Sequence, residues 1–452
     1  MTTQHETEPP ERSFSPQAGA TDAPKMRRVA VASTVGTVVE FYDFFIFSTA
    51  AVLVFQSVFY AELGTAAASA SALATIGVAF VARPFGSVIF GHFGDRIGRK
   101  KTLVTSMLLM GGATVAVGLL PGADSIGVAA PVLLVLLRMA QGIAVGGEWA
   151  GALLMATEYA PAKQRGTFAM FPQLGPSLGL SLSTGTFLVT SLVLDDAAFL
   201  SWGWRVPFLM SAVLVLVGLW VRLSLEETPV FRKESVRSRA PFMDLMRNQS
   251  RELALASGAT LGVLAFFGTS ATMLLSYGSV TLGLPRQWVL GAAIIGGLAF
   301  AAATIAGGIW SDRVGRRPLL VGSHVLAVLT AVALFPILDL ATLPAFTAGL
   351  VLAFVVTGLA YAPLGAQLAE VFATTYRYTG AGLAYNIGGV VGAACAPLIG
   401  AVLLERWGSL AVGIMLAVYA TVALACLAKL GETRGRELDA HRGDSTEPQH
   451  TP

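Results

Sequence analysis

The chain has 452 residues, of which 54% are hydrophobic and 13% are charged, and its mean hydropathy is +0.69. A soluble protein has about 25% charged residues, so this composition excludes an ordinary soluble domain and indicates a protein with many membrane-spanning helices. The formal net charge of +3 comes from loops and tails, so it gives no reason to expect a nucleic-acid partner.

The amino-terminal segment 1–27 is rich in Thr, Glu, Pro and Ser and has no apolar core. It does not read as a signal peptide, and we expect a disordered cytoplasmic tail. Beyond it, apolar runs long enough to cross a hydrocarbon core of about 30 Å recur along the chain. Twelve spans are predicted, at about 29–59, 71–91, 102–120, 131–156, 167–194, 206–224, 253–280, 288–309, 319–338, 343–369, 379–404 and 410–427.

The spans fall into two groups of six, which predicts an all-α integral membrane protein made of two six-helix bundles. The bundles are assigned to 28–225 and 252–430, with a basic cytoplasmic linker at 226–251 and a cytoplasmic tail at 431–452. If the amino terminus is cytoplasmic, 25 of the 30 Lys and Arg residues lie in cytoplasmic segments. The positive-inside rule therefore places both termini in the cytoplasm of a cell (plasma or inner) membrane.

The first predicted span contains two acids, Glu40 and Asp43, in the stretch VVEFYDFFIF. A charge at bilayer depth costs at least about 2.5 to 3.5 kcal/mol, so a functional role is expected. At 1.5 Å per residue, Asp43 lies roughly 21 Å and Glu40 roughly 17 Å from the cytoplasmic surface. Arg138, in the fourth span, lies roughly 20 Å above the same surface, so we expect an ion pair between Asp43 and Arg138.

Two other acids have less certain partners. Glu40 lies three residues before Asp43 on nearly the same helix face, where it either tunes Asp43 or pairs with Arg83 of the second span. Glu148, in GGEWAG, falls near the inner end of the fourth span, and a structural pair with Arg99 or Arg165 is expected there.

The two halves repeat each other in their cytoplasmic loops. GHFGDRIGRKK at 91–101 is echoed by GIWSDRVGRRP at 308–318, and EYAPAKQR at 158–165 by EVFATTYR at 370–377, with offsets of 217 and 212 residues. Such a duplication is typical of transporters built from structural repeats. The charged residues of these loops are predicted to form a cytoplasmic gate: Asp95, Arg99, Glu158 and Arg165 in the first half, and Asp312, Arg316, Glu370 and Arg377 in the second.

At these residues the chain resembles the major facilitator superfamily, over about 28–436. VEFYDFF, ARPFGSVIFGHFGDRIGRKK, RMAQGIAVGGEWAGA and SWGWRVPF are similar to its metabolite:proton symporter family, which includes transporters of shikimate, 2-oxoglutarate, citrate, and proline or betaine. The Glu-x6-Arg pairs and the segments EETP and GETRGREL resemble its sugar porters. Sugar porters carry a proton-coupling acid on the first helix and an arginine on the fourth, which implies these roles for Asp43 and Arg138.

The second half has no charged residue within its predicted spans, so proton coupling is assigned to the first half. Arg138 suits a substrate carboxylate. Neutral polar side chains are further candidates for substrate binding, although each is equally explained as a polar group satisfied between helices. These candidates are Gln141 and Gln173 in the first half, and Tyr361, Tyr385 and Asn386 in the second.

The resulting prediction is a monomeric secondary transporter that takes up a small organic acid or zwitterion with protons. The proton gradient supplies the energy, and neither a metal nor another cofactor is expected. A proton-coupled exporter is the main alternative, because QLGPSLGLSLSTG in the fifth span partly resembles an antiporter motif. A sensor that does not transport is a second alternative, and an enzyme is the least expected, since the sequence has no nucleophile elbow or phosphate-binding loop.

Overall fold

The computed structural model describes residues 23–224, 226–227, 239–436 and 438, and the regular structure within these ranges is helical. Residues 1–22 of the predicted amino-terminal tail lie outside the described residues. The same holds for 225 and 228–238 around the predicted linker, and for 437 and 439–452 of the predicted carboxy-terminal tail.

Fifteen helices of eight or more residues occur in the described part of the chain, and we number them in order. They are α1 (Ala23–Ala50), α2 (Thr65–Arg96), α3 (Arg99–Leu119), α4 (Ala129–Tyr159), α5 (Arg165–Gln173), α6 (Gly175–Val193), α7 (Arg205–Leu223), α8 (Pro241–Asn248), α9 (Ser250–Gly268), α10 (Arg286–Val314), α11 (Arg316–Leu338), α12 (Leu343–Val371), α13 (Arg377–Gly388), α14 (Cys395–Trp407) and α15 (Ser409–Lys429). Wider π-helical turns at Thr269–Met273 and Tyr277–Thr281 extend α9, and the turn Gly389–Ala394 joins α13 to α14.

Within the described ranges, eleven helical stretches are long and apolar enough to cross a membrane, and they match eleven of the twelve predicted spans. The exception is the fifth span, 167–194, where the chain forms α5 and α6. The two helices meet at Leu174, with Pro172 at the end of α5 and Pro176 at the start of α6. Because proline lacks a backbone N–H, the helical hydrogen-bond ladder is interrupted here.

Two boundaries differ from those expected. Helix α1 begins at Ala23, within the segment predicted as a tail, and the predicted linker contains the eight-residue helix α8. The described half before the linker therefore comprises α1 to α7, and the half after it comprises α9 to α15.

Glycines bring α2 and α4 into backbone contact. A Cβ atom built on Gly86 of α2 would lie 2.0 Å from the carbonyl oxygen of Ile143, and one on Gly146 of α4 would lie 2.1 Å from that of Arg83. Small residues at such crossings let membrane helices approach closely, so dispersion and weak polar contacts hold them together. This crossing fixes the positions of the charged and aromatic side chains on both helices.

We expect Gly86→Ala to destabilise the protein by about 1 to 3 kcal/mol, because the new methyl group would push against backbone rather than against a flexible side chain. The matched control is Gly112→Ala in α3, since a Cβ there meets no atom within 4 Å. That control should be neutral or stabilising by up to about 1 kcal/mol, because alanine is the better helix former. Thermal unfolding of the purified proteins in detergent measures both, and equal shifts would contradict the tight crossing.

Candidate functional site

Asp43 is joined to Arg138 by a chain of hydrogen bonds across three helices. Thr114 Oγ1 of α3 donates to Asp43 Oδ2 of α1 at 2.9 Å, and Gln141 Nε2 of α4 donates to Thr114 Oγ1 at 2.8 Å. Arg138 Nη1, one turn away on α4, donates to Gln141 Oε1 at 3.1 Å. All four side chains are fully buried. Of the predicted site residues, the structure therefore brings Asp43, Arg138 and Gln141 together, and it adds Thr114.

The expected direct ion pair between Asp43 and Arg138 is not formed in this conformation, as judged by the contacts of the described residues. Arg138 instead packs its guanidinium against aromatic rings, with Cζ 4.0 Å from the ring centroid of Phe47 and 4.9 Å from that of Phe44. The helical rise placed Asp43 and Arg138 at one level, but it could not give the direction in which each side chain points. Thr114 and Gln141 fill the gap between them.

Glu148 forms an ion pair with Arg222 of α7. The prediction that Glu148 pairs with Arg99 or Arg165 is therefore wrong. Its Oε1 lies 2.6 Å from Arg222 Nη2, and both side chains are buried. Arg222 reaches Glu148 by crossing α1 at Gly36, where a Cβ atom would lie only 2.1 Å from Nη2. The sequence count had grouped Arg222 with the cytoplasmic cations because it lies in the last turn of its helix.

Glu40 is buried beside this pair. It is 2% exposed, and neither of its carboxylate oxygens has a hydrogen-bond donor among the described residues. Electrostatic interactions connect it with Glu148, Arg83, Arg222 and Asp43. Glu40 therefore interacts electrostatically with Arg83, the partner that one alternative predicted. The two residues form no ion pair in the described part of the chain.

The two halves meet at a layer of polar and aromatic side chains. Trp149 of α4 stacks on Tyr385 of α13, with ring centroids 3.7 Å apart, and its Nε1 donates to Gln173 Oε1 at 2.7 Å. Gln173 Nε2 donates to the carbonyl oxygen of Tyr361 at 2.7 Å, and the hydroxyls of Tyr361 and Tyr385 are 2.5 Å apart. Sequence reasoning missed Trp149, although it follows Arg138 by eleven residues, three helical turns, and so shares its face of α4.

Asn386 lies next to this layer and connects the halves directly. Its Nδ2 donates to Ser87 Oγ at 2.7 Å and to the Gly146 carbonyl at 3.1 Å. Two turns earlier on α13, Tyr378 Oη donates to the Gly147 carbonyl at 2.5 Å. Asn386, predicted as a substrate-binding residue, therefore has its amide nitrogen occupied by protein acceptors in this conformation.

The eight residues predicted as a gate form two clusters that repeat each other. Arg99 binds Asp95 at 3.4 Å and Glu158 at 3.3 Å, and Arg316 binds Asp312 at 2.6 Å and Glu370 at 3.4 Å. Two longer pairs cross between the halves. They are Arg377 with Glu158 at 3.6 Å and Arg165 with Glu370 at 3.8 Å.

The two aspartates also make contacts between the halves at this end. Asp95 accepts hydrogen bonds at 2.9 to 3.2 Å from the backbone N–H groups of Tyr378 and Thr379 and from the Thr379 hydroxyl, at the start of α13. Asp312 accepts from two N–H groups and the Thr167 hydroxyl at the start of α5, at 2.6 to 2.9 Å. Helix amino termini favour a negative charge, so each aspartate holds the opposite half closed.

Asp95→Asn should therefore weaken closure at this end. Asparagine keeps an acceptor but removes the charge, and a charged hydrogen bond is worth about 1 kcal/mol more than a neutral one. We expect alkylation of a cysteine introduced at Ser87, after replacement of Cys395 and Cys426, to accelerate by about 5- to 10-fold. The control is Asp124→Asn, an exposed acid in the loop between α3 and α4. An unchanged rate in Asp95→Asn would contradict the closing role of this carboxylate.

Two glutamates that follow α7 and α15 hold the helices of these clusters in place. Glu227 accepts from the first two N–H groups of α3 at 3.0 and 3.2 Å, and Glu432 from the first two of α11, both at 3.0 Å. Burial opposes ionisation of the Glu432 carboxyl, but its backbone N–H donors outweigh burial and lower the pKa. The Glu432 contacts therefore stabilise the fold above about pH 4.5 and are lost as the pH falls through the lowered pKa of Glu432.

Comparison with known proteins identifies the family to which this chain belongs. The sequence model of the Major Facilitator Superfamily matches residues 34–393 and 292–449. The chain is 44% identical to the inner membrane metabolite transport protein YhjE of Escherichia coli K12, over 91% of the chain and 95% of that protein. It is 36% identical to the shikimate transporter of the same organism (92% and 98% covered) and 32% identical to its proline/betaine transporter (92% and 86% covered).

The fold agrees with these matches. The xylose symporter XylE bound to 6-bromo-6-deoxy-D-glucose superposes with a TM-score of 0.75, covering 92% of this chain and 98% of XylE at 18% identity. This likeness and the helical architecture confirm the predicted all-α membrane fold of two six-helix bundles. The chain belongs to the Major Facilitator Superfamily, and it is a membrane transporter rather than an enzyme.

Proposed function

We propose that this protein is a monomeric importer that carries a small organic acid into the cytoplasm together with protons. Asp43 is the proton-binding group, Arg138 binds the substrate carboxylate, and the two termini are cytoplasmic. The observation that carries the proposal is the chain of hydrogen bonds from Arg138 through Gln141 and Thr114 to Asp43, because it couples a buried cation to a buried acid.

Thr114 suits an acid that changes protonation state. Its single hydroxyl proton has two acceptors in reach, Asp43 Oδ2 at 2.9 Å and the Met110 carbonyl at 3.0 Å. When Asp43 is ionised, the hydroxyl donates to the carboxylate. When Asp43 is protonated, the carboxyl donates to Thr114 Oγ1, and the hydroxyl proton turns to Met110. Thr114 can therefore hydrogen-bond to Asp43 in both states without moving a helix, which lowers the cost of burying the acid.

Arg138 has donors that the protein does not use. Nε and Nη2 have no acceptor among the described residues, although the side chain is fully buried. A substrate carboxylate bound there would add one negative charge, and a proton on Asp43 would cancel it. Substrate and proton therefore favour each other's binding, which is the thermodynamic requirement for symport.

The proposed direction of transport also accounts for the contacts between the halves at the cytoplasmic end. The predicted cytoplasmic clusters join the halves in this conformation, so the site would open to the other side of the membrane when the central layer separates. Entry of substrate and proton from outside would then precede release to the cytoplasm.

The test is uptake by cells or by proteoliposomes of known orientation. Radiolabelled shikimate, 2-oxoglutarate, citrate, proline and betaine would each be offered with an inward proton gradient, with and without a protonophore. We expect accumulation of at least one carboxylate that the protonophore abolishes. Accumulation only in inverted vesicles would support export instead, and uptake that ignores the protonophore would contradict proton coupling.

A further inference from the structure

Two buried guanidinium groups in the first half form no ion pair with a carboxylate among the described residues. Arg83 of α2 is 4% exposed, and Arg138 of α4 is fully buried. For both side chains, Nε and Nη2 have no hydrogen-bond acceptor in the described part of the chain. Arginine does not lose its proton in proteins, so these two groups are cations held away from water. Such groups are strongly unfavourable unless an anion compensates them.

The two cations share one aromatic ring. Cζ of Arg83 lies 4.7 Å from the ring centroid of Phe44, and Cζ of Arg138 lies 4.9 Å from it. Arg83 also lies 4.4 Å from the ring centroid of Phe80. The two guanidinium groups have the same charge and repel each other. Contacts with ring faces offset only part of the cost of burying two like charges.

In the described part of the chain, the nearby acids form no ion pair with either group. Glu148 is held by Arg222 at 2.6 Å, and Asp43 accepts from the hydroxyl on α3. Glu40 interacts electrostatically with Arg83, but its oxygens have no donor among the described residues. Both guanidinium groups therefore lie beside Phe44 and keep N–H groups without a protein acceptor among the described residues.

Arg83 also lies close to the second half of the protein. It is one turn before Ser87 on α2, and Ser87 Oγ accepts a hydrogen bond from Asn386 Nδ2 of α13 at 2.7 Å. The electrostatic partners of Arg83 include the hydroxyl groups of Tyr385 and Tyr361, on α13 and α12. Tyr385 stacks on Trp149 in the layer where the halves meet. A molecule bound between the halves at this layer would thus reach Arg83 as well as Arg138.

We propose that Arg83 is a second substrate-binding cation and that, with Arg138, it makes the site selective for dicarboxylates. This inference rests on the proposed function. When Asp43 and Glu40 are both protonated, the two guanidinium groups carry two positive charges, which a dianion neutralises. A monocarboxylate leaves one charge uncompensated and a zwitterion leaves two. Each carboxylate then enters with one proton, and transport is electroneutral.

The test compares each diacid with a half-ester that has the same skeleton and one charge fewer. Succinate, glutarate and adipate would be offered to proteoliposomes beside their monomethyl esters, under an inward proton gradient. For the wild-type protein we expect the KM of the preferred diacid to be about 10- to 100-fold below that of its ester, as for one charged hydrogen-bonded pair. Arg83→Gln should reduce this ratio to within about 3-fold, and Arg83→Lys should fall between.

Arg313→Gln, at an exposed position in the last turn of α10, is the matched control and should keep the wild-type ratio. A merely structural role of Arg83 would raise both KM values together and leave the ratio unchanged, which overturns the inference. A wild-type protein whose KM is lower for the half-ester than for the diacid also overturns the inference. In both cases proton-driven uptake of the ester leaves the proposed function standing, whereas failure of every carboxylate to enter with protons contradicts the proposed function itself.

Discussion

Asp43→Asn should abolish accumulation of substrate against a gradient while leaving exchange of substrate across the membrane intact. Asparagine is close in size to aspartate and can still accept the hydrogen bond from Thr114, so the packing around this buried position is kept. It cannot take up a proton, so the step that couples transport to the proton gradient is lost. Uptake under an inward proton gradient and counterflow of labelled substrate at equal pH measure the two activities separately.

Asp124→Asn is the control for loss of an acid, because Asp124 is exposed in the loop between α3 and α4. We expect accumulation by this variant to match the wild type. Thr114→Val and Thr114→Ser extend the test along the hydrogen-bond chain, since only serine keeps the hydroxyl that serves both states of Asp43. Accumulation that survives in Asp43→Asn would make this carboxylate structural and leave the proton site elsewhere.

The sequence allows the level of a side chain in the membrane to be predicted, because helical rise is constant at about 1.5 Å per residue. Asp43 and Arg138 were placed at one level in this way, and the structure connects them through two side chains. The duplicated loop motifs likewise predicted which charged residues share a cluster. Repeats and hydropathy patterns are properties of the chain itself, so no knowledge of packing is needed to read them.

Side-chain contacts between helices that lie far apart in the sequence could not be predicted from helical rise or from repeats. Glu148 was expected to pair with cations at the cytoplasmic ends of other helices, but the route of Arg222 across α1 depends on the space above Gly36. Trp149 could have been found from its spacing to Arg138, yet its stacking partner Tyr385 lies on the other half. Such pairings follow from how twelve spans are arranged around each other, which hydropathy does not determine.

Glu148 and Arg222 form a buried ion pair, and we expect the loss of each partner to lower the free energy of unfolding by a different amount. Removing one member of a buried ion pair costs about 3 to 5 kcal/mol, because it leaves an uncompensated charge. In Glu148→Gln, however, Arg222 still has Glu40 within electrostatic range, so part of this cost is recovered. In Arg222→Gln, Glu148 and Glu40 remain as two neighbouring carboxylates. We therefore expect Arg222→Gln to lower the free energy of unfolding more than Glu148→Gln, as measured by denaturation in detergent at pH 7.

One further measurement separates this asymmetry from simple damage to packing. The double variant Glu148→Gln with Arg222→Gln should be less destabilised than the sum of the single variants, because the two groups interact directly. Equal losses for the two single variants would show that Glu40 does not serve as a second partner for Arg222. The burial of Glu40, Asp43 and Glu148 would then require an explanation other than a shared set of cations.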